Sequence, residues 1–167
     1  ARAMALLERG LYRSRKGDLL PGQDDLITAC RLLRSAGTVA DQDLCTFHLS
    51  SHYRRMGDLD EALKLLNTLH ERAQRAGALY DDSIYLYSMA FALQMKGQWP
   101  QALARYRDAL VLNEQFEDAH GIAFAEHGMA RSLVELKRPQ DAIAHARRAL
   151  QMVDWSEDPR EHSVRTI

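Results

Sequence analysis

The chain has 167 residues, 46% of them hydrophobic and 27% charged, a balance that supports a folded core and excludes a disordered or collagen-like chain. Its 22 Lys and Arg stand against 23 Asp and Glu, for a net charge of −1, so the cation excess that holds a phosphate backbone is missing and no nucleic acid is expected as partner. Cys30 and Cys45 fit neither a metal spacing nor a Cys-x-x-Cys, and no apolar run approaches the roughly 20 residues that span a bilayer. The expectation is a cytoplasmic protein, without a membrane segment, whose two cysteines are reduced and buried as small hydrophobes.

Taken in order, the elements repeat. Gly17-Asp18-Leu19 returns as Gly57-Asp58-Leu59, then as Gly97-Gln98-Trp99 and Lys137-Arg138-Pro139, each 40 residues after the last. The first unit, about 3–42, turns at Gly17 and carries Gly22 in a column that later holds Ala62, Ala102 and Ala142. In the second unit, about 43–82, Gly57 stops one helix, because glycine enters the left-handed region without a Cβ penalty, and Asp58-Leu59-Asp60-Glu61-Ala62-Leu63 opens the next. The third, about 83–122, has helical apolar spacing on both sides of Gly97: Met89, Ala90 and Leu93 before it, and Ala102, Leu103, Tyr106, Ala109 and Leu110 after it. Pro100 there, and Pro139 in the fourth unit of about 123–162, suit a first helical turn, whose N–H has no partner in any case. Residues 163–167 fall at the start of a further, truncated unit. No segment alternates with period two, so almost no sheet is expected. One helix pair cannot cover its own apolar face, so the units must stack, and the last one is expected to leave apolar surface open to end-to-end pairing.

The column set Ala90, Leu93, Gly97, Trp99, Ala102, Tyr106 and Ala109 resembles the tetratricopeptide repeat pattern, over essentially the whole chain. The resemblance implies an all-α, right-handed superhelical solenoid of about four antiparallel helix pairs, forming a single domain over residues 1–167. The usual unit of that family has 34 residues, so six are extra here, about 9 Å of added helix. The longer unit is similar to the variant in bacterial regulatory proteins and kinesin light chains. Trp99 is expected to fill the gaps between helices.

Candidate chemistry is sparse. His48 and His52 stand four apart, a metal-compatible spacing, but no third ligand is near and the pair reads as packed or solvent-facing histidine, as do His120 and His127. Asp24-Asp25 and Asp81-Asp82 read as helix caps. No Gly-rich phosphate cradle and no matched nucleophile, base and orienter occur, so neither catalytic residues nor a cofactor are expected.

The family resemblance implies a concave face lined by first helices, which maps to Phe47, Ser51, Arg54 and Arg55, then Tyr87, Phe91, Gln94 and Met95, then His127, Arg131 and Glu135. Rings and Met beside guanidinium groups suit a peptide with carboxylates. The competing reading is that Phe47, Tyr87 and Phe91 pack between neighbouring helices while the arginines are solvated. A chaperone-type carboxylate clamp is not matched, since its Lys and Asn positions correspond to Leu7, Leu11, Phe47, Ser51, Tyr87, Phe91, His127 and Arg131. The expected function is a non-enzymatic adaptor or regulatory arm that binds a protein or peptide, with a homodimer through the terminal repeats as a further expectation. The alternative is a sensory or dimerisation module of a larger bacterial signalling protein, such as a diguanylate cyclase.

Overall fold

Helical apolar spacing interrupted every twenty residues by a short turn folds as eight helices in the computed structural model, which describes residues 1–156. They are α1 Arg2–Lys16, α2 Leu19–Ala36, α3 Val39–Met56, α4 Leu59–Ala76, α5 Leu79–Met95, α6 Trp99–Gln115, α7 Ala119–Glu135 and α8 Pro139–Ser156, with no strand among the described residues. The architecture is an all-α helical repeat solenoid. The six extra residues per unit do lengthen the helices, which from α2 onward run to 17 or 18 residues. Helix pairs begin at Arg2, Val39, Leu79 and Ala119, with the 40-residue interval holding from Val39 onward, while the cuts at 43, 83 and 123 fall four residues inside α3, α5 and α7. Residues 163–167, assigned from sequence to a next repeat, lie outside the described residues.

The turns explain the phase. Gly17, Gly57 and Gly97 take φ of 91°, 84° and 71°, and Lys137 makes the same turn at φ 60°. A side chain there costs roughly 1–2 kcal/mol. Between pairs, Thr38 accepts from the Asp41 N–H at 3.1 Å and Asp118 accepts from the Gly121 N–H at 3.0 Å, two side-chain caps that mark where α3 and α7 start. Pro100 and Pro139 sit in the first turns of α6 and α8, as the sequence required. Trp99 is only half-buried, which corrects the expectation that it plugs the interior; it lies at the first position of α6.

By internal contacts the chain divides at Arg72 into two units. In the first, Leu7, Leu26, Ala29, Leu33, Cys30 and Cys45 form one core. The Cys30 and Cys45 sulfurs are bonded to each other across α2 and α3, with Cα atoms 5.4 Å apart, so the expectation of two separate thiols is corrected. Spacing alone hid this, because 15 residues of sequence separate two helices that pack side by side. Asp25 also departs from its capping role. It is buried seven residues into α2 and accepts from Arg9 at 2.6 and 2.8 Å and from Arg13 at 2.7 Å. Those guanidinium hydrogen bonds, Arg9 first, hold its carboxyl below the usual range against the opposing effect of burial. His52 is fully buried in α3, with Nδ1 2.9 Å from Ser14 Oγ.

The second unit packs Ala90, Ala102, Leu103, Tyr106, Leu110, Ile122, Ala125, Met129, Leu133 and Ala142 into its own core. The small-residue column of the sequence is its centre, with Ala102 and Ala142 both buried. No helix among the described residues is long and apolar enough to cross a membrane.

Candidate functional site

The seam between α5 and α7 shows what each predicted position does. Tyr106 of α6 reaches under it and donates to Gln94 Oε1 at 3.0 Å; Gln94 Nε2 in turn donates to the Gly128 carbonyl at 2.9 Å and to Ser132 Oγ at 3.0 Å. Ser132 Oγ closes the set by donating to the same carbonyl at 2.9 Å. Every donor in this buried network has an acceptor, so it fixes the spacing of α5, α6 and α7. Gln94, placed on the concave face by resemblance, is therefore turned inward and buried. Tyr87 is half-buried between the rings of Tyr106 and Phe124, at centroid distances of 5.6 and 5.8 Å. Phe91 is likewise half-buried, and Met95 is exposed.

Forty residues later the same columns are open. His127, Arg131 and Glu135 are exposed on α7, and Arg131 makes no ion pair among the described residues. In the first unit, α3 carries Phe47, Ser51 and Arg54 half-buried and Arg55 exposed. The Phe47 carbonyl accepts from Ser50 Oγ at 2.7 Å. The predicted residues thus fall into two sets, one on α3 and one on α5 and α7.

The open α7 columns border an apolar groove that sequence reasoning missed. One cavity of about 490 Å³ lies between His120, Ala123, Phe124 and His127 of α7 and Ala146, Ala149 and Leu150 of α8. A second, of about 410 Å³, continues from His127 and Ala146 to Arg131, Val134, Pro139 and Ile143. Phe124, Val134, Ile143 and Leu150 are all exposed. The signal was present in the matching of Leu110 with Leu150, but an apolar column identifies a contact surface without saying whether a neighbour covers it.

On the other side of α8, Glu126 is buried and both its oxygens are engaged: Oε2 by His145 Nδ1 at 2.5 Å and Oε1 by Arg148 at 2.8 Å. Arg148 also bonds Glu114 of α6, and this pairing, the largest influence on it, holds the guanidinium charged. A carboxylate bonded to an imidazole suggests a catalytic pair, but with both oxygens taken it serves to tie α6, α7 and α8 together. No group of three or more potential metal ligands occurs among the described residues.

Comparison with known proteins agrees with this geometry. A family model described as tetratricopeptide repeat matches residues 42–110 and 80–154. Among curated proteins, mouse Tonsoku-like protein is 29% identical over 87 residues, 52% of this chain, and the match spans 6% of that protein's length. Among solved structures, a Podosopora anserina putative kinesin light chain with nearly identical TPR-like repeats superposes with a TM-score of 0.77 at 14% identity, covering 95% of this chain and 78% of that one. The apo form of RapI gives 0.82 at 17% identity, covering 95% of this chain and 44% of the other. MamA from Desulfovibrio magneticus gives 0.70 at 13%, covering 93% and 78%. At such identities the structures share a fold.

Proposed function

Because this chain belongs to the tetratricopeptide repeat family, whose repeats generally mediate protein interaction, we propose that it is a non-enzymatic adaptor or regulatory arm that holds a protein or peptide against its first-helix faces. One observation carries the reading: among the described residues, no helix covers the α7 columns that neighbouring helices occupy elsewhere, and His127 and Arg131 are exposed above an apolar floor. A guanidinium beside exposed apolar side chains recognises carboxylates while the floor excludes water. On α5 of the same unit, Phe91 and Met95 add adaptable apolar surface; the first unit, by itself, carries Phe47, Ser51, Arg54 and Arg55 on α3.

The test is a photo-crosslinking amino acid placed at position 131 and, as control, at exposed Arg107 on α6. In the source cell, a discrete adduct from position 131 and none from position 107 is expected. Equal labelling from both positions, or none from either, refutes the reading.

A further inference from the structure

The repeat supplies its own comparison for the α7–α8 groove. On α6, Leu103, Tyr106 and Leu110 are 5%, 1% and 9% exposed, beneath α7. Forty residues on, the same columns of α8 hold Ile143 at 44%, an exposed Ala146 and Leu150 at 68%. What α8 presents is therefore, column for column, the surface that α6 presents to a helix. Between Pro139 and Leu150 the groove runs eleven residues along α8, about 16 Å or three helical turns.

One column changes character and specifies the occupant. Tyr106 on α6 fills the seam so completely that its partner position on α7 is Gly128. On α8 that column is Ala146, so the hole lies on this chain and the knob must come from the incoming helix. Charge narrows the choice further. Arg131 lines the groove, Arg147 is exposed beside it on α8, and none of the lining residues is a carboxylate. Two copies of this face brought together would oppose like charges. Head-to-tail stacking fares no better: where α7 offers Ile122, Ala125, Gly128 and Met129, the equivalent positions of α1 are Arg2, Ala5, Glu8 and Arg9. Forty residues beyond Ile122 and Ala125 the sequence itself holds His162 and Arg165.

We infer that the α7–α8 groove takes an amphipathic α-helix of another protein, one with a large apolar residue seated over Ala146 and with Asp or Glu along its flanks. This rests on the protein-binding reading above and names the partner's chemistry. The groove walls, Leu150 and Ile143, would flank the knob, while Arg131 would meet the acidic edge in bidentate fashion.

The probe is a labelled synthetic helix of roughly sixteen residues with Leu at its centre and Glu on both flanks, titrated by fluorescence anisotropy into the full chain. Three companions carry central Gly, Lys flanks, or a central Pro that prevents the helix. Binding of the Leu/Glu helix is expected, with loss of at least about tenfold in affinity, some 1.4 kcal/mol, for Ala146→Tyr and Leu150→Glu. Both positions are exposed, and unchanged circular dichroism confirms the fold. Arg131→Glu should remove the preference for Glu over Lys flanks. Equal affinity of wild type and Ala146→Tyr overturns the inference, as does self-association of the free chain that Leu150→Glu abolishes, which would give the groove to a second copy. If the Pro peptide binds as tightly as the helix, the helical partner is refuted while peptide binding stands. If no peptide binds yet position 131 still yields its adduct in cells, the acidic helix again falls and the broader reading survives.

Discussion

Gly128→Ala tests the packing of the second unit at its tightest point. In an exposed helix interior this substitution stabilises by about 1 kcal/mol, since alanine has less backbone freedom to lose. Here a Cβ on Gly128 would fall 2.5 and 2.6 Å from Cε1 and Cε2 of Tyr106. The ring cannot swing aside freely, because its hydroxyl is held by Gln94 and Gln94 is held by α7 itself. Overpacking costs about 1–3 kcal/mol, and displacing the ring leaves the buried Gln94 carbonyl without a donor at about 1–3 kcal/mol more. Set against the propensity gain of about 1 kcal/mol, the net loss is about 1–5 kcal/mol. Urea unfolding of the variant beside wild type measures it. The same substitution in a Tyr106→Leu background, where the ring is gone, should be neutral or stabilising by up to about 1 kcal/mol, and the difference is the coupling energy. A Gly128→Ala single variant at least as stable as wild type would refute the argument.

Lys137→Gly should stabilise by about 0.5–1 kcal/mol, the left-handed strain of about 1–2 kcal/mol offset by glycine's entropy; a lower urea midpoint contradicts the strained turn. Reduction of Cys30–Cys45 should cost about 3 kcal/mol for its 15-residue span, and identical unfolding curves with and without reductant would mean that the thiols are unpaired in solution. Burial pushes the imidazoles of His48 and His52 below their ordinary value of 6.5. The unfolded chain then binds the more protons, so stability is full above pH 6.5 and declines as pH falls below it; His52→Gln should flatten that slope, and an unchanged slope removes His52 as its source. Trp99→Ala should cost about 1.5–2.5 kcal/mol, half the fully buried figure, because the ring is half-exposed; a thermal melt shifted as far as for a core residue contradicts that.

The fold was legible because the repeat writes each rule several times. Glycine at a fixed place stops a helix, proline at a fixed place starts one, and alanine marks the close approach; Gly57, Pro100 and Ala102 each occupy the structural position that their chemistry implies. Gly22, the departure from the alanine column, has its own cause: a Cβ there would sit 3.2 Å from the Gly10 carbonyl oxygen, so α1 and α2 approach through two glycines. Contacts between helices were not legible. The bond between Cys30 and Cys45, the burial of Asp25 beneath Arg9 and Arg13, and the Tyr106–Gln94–Ser132 network all depend on which faces meet, and local sequence constrains that only through the period.

The candidate site was partly legible for the same reason. The column that holds Tyr87, Phe91 and Gln94 on α5 continues as His127, Arg131 and Val134 on α7, and one periodic pattern predicts both stretches alike. Where α7 lies alongside, the column is seam, and its residues are half-buried or fully hydrogen-bonded. Among the described residues the column is surface on α7, and Phe91 gives way there to Arg131. A residue that must sit under a neighbouring helix loses hydration and is selected for packing, whereas one that keeps its charge must keep water or find a carboxylate. The change from Phe91 to Arg131 within one column therefore separates a seam that α7 covers from a column that no described residue covers. It also explains why the apolar floor beneath Arg131 escaped notice: Ile143 and Leu150 look the same in sequence as Leu103 and Leu110, and only the third dimension shows that nothing among the described residues lies over them.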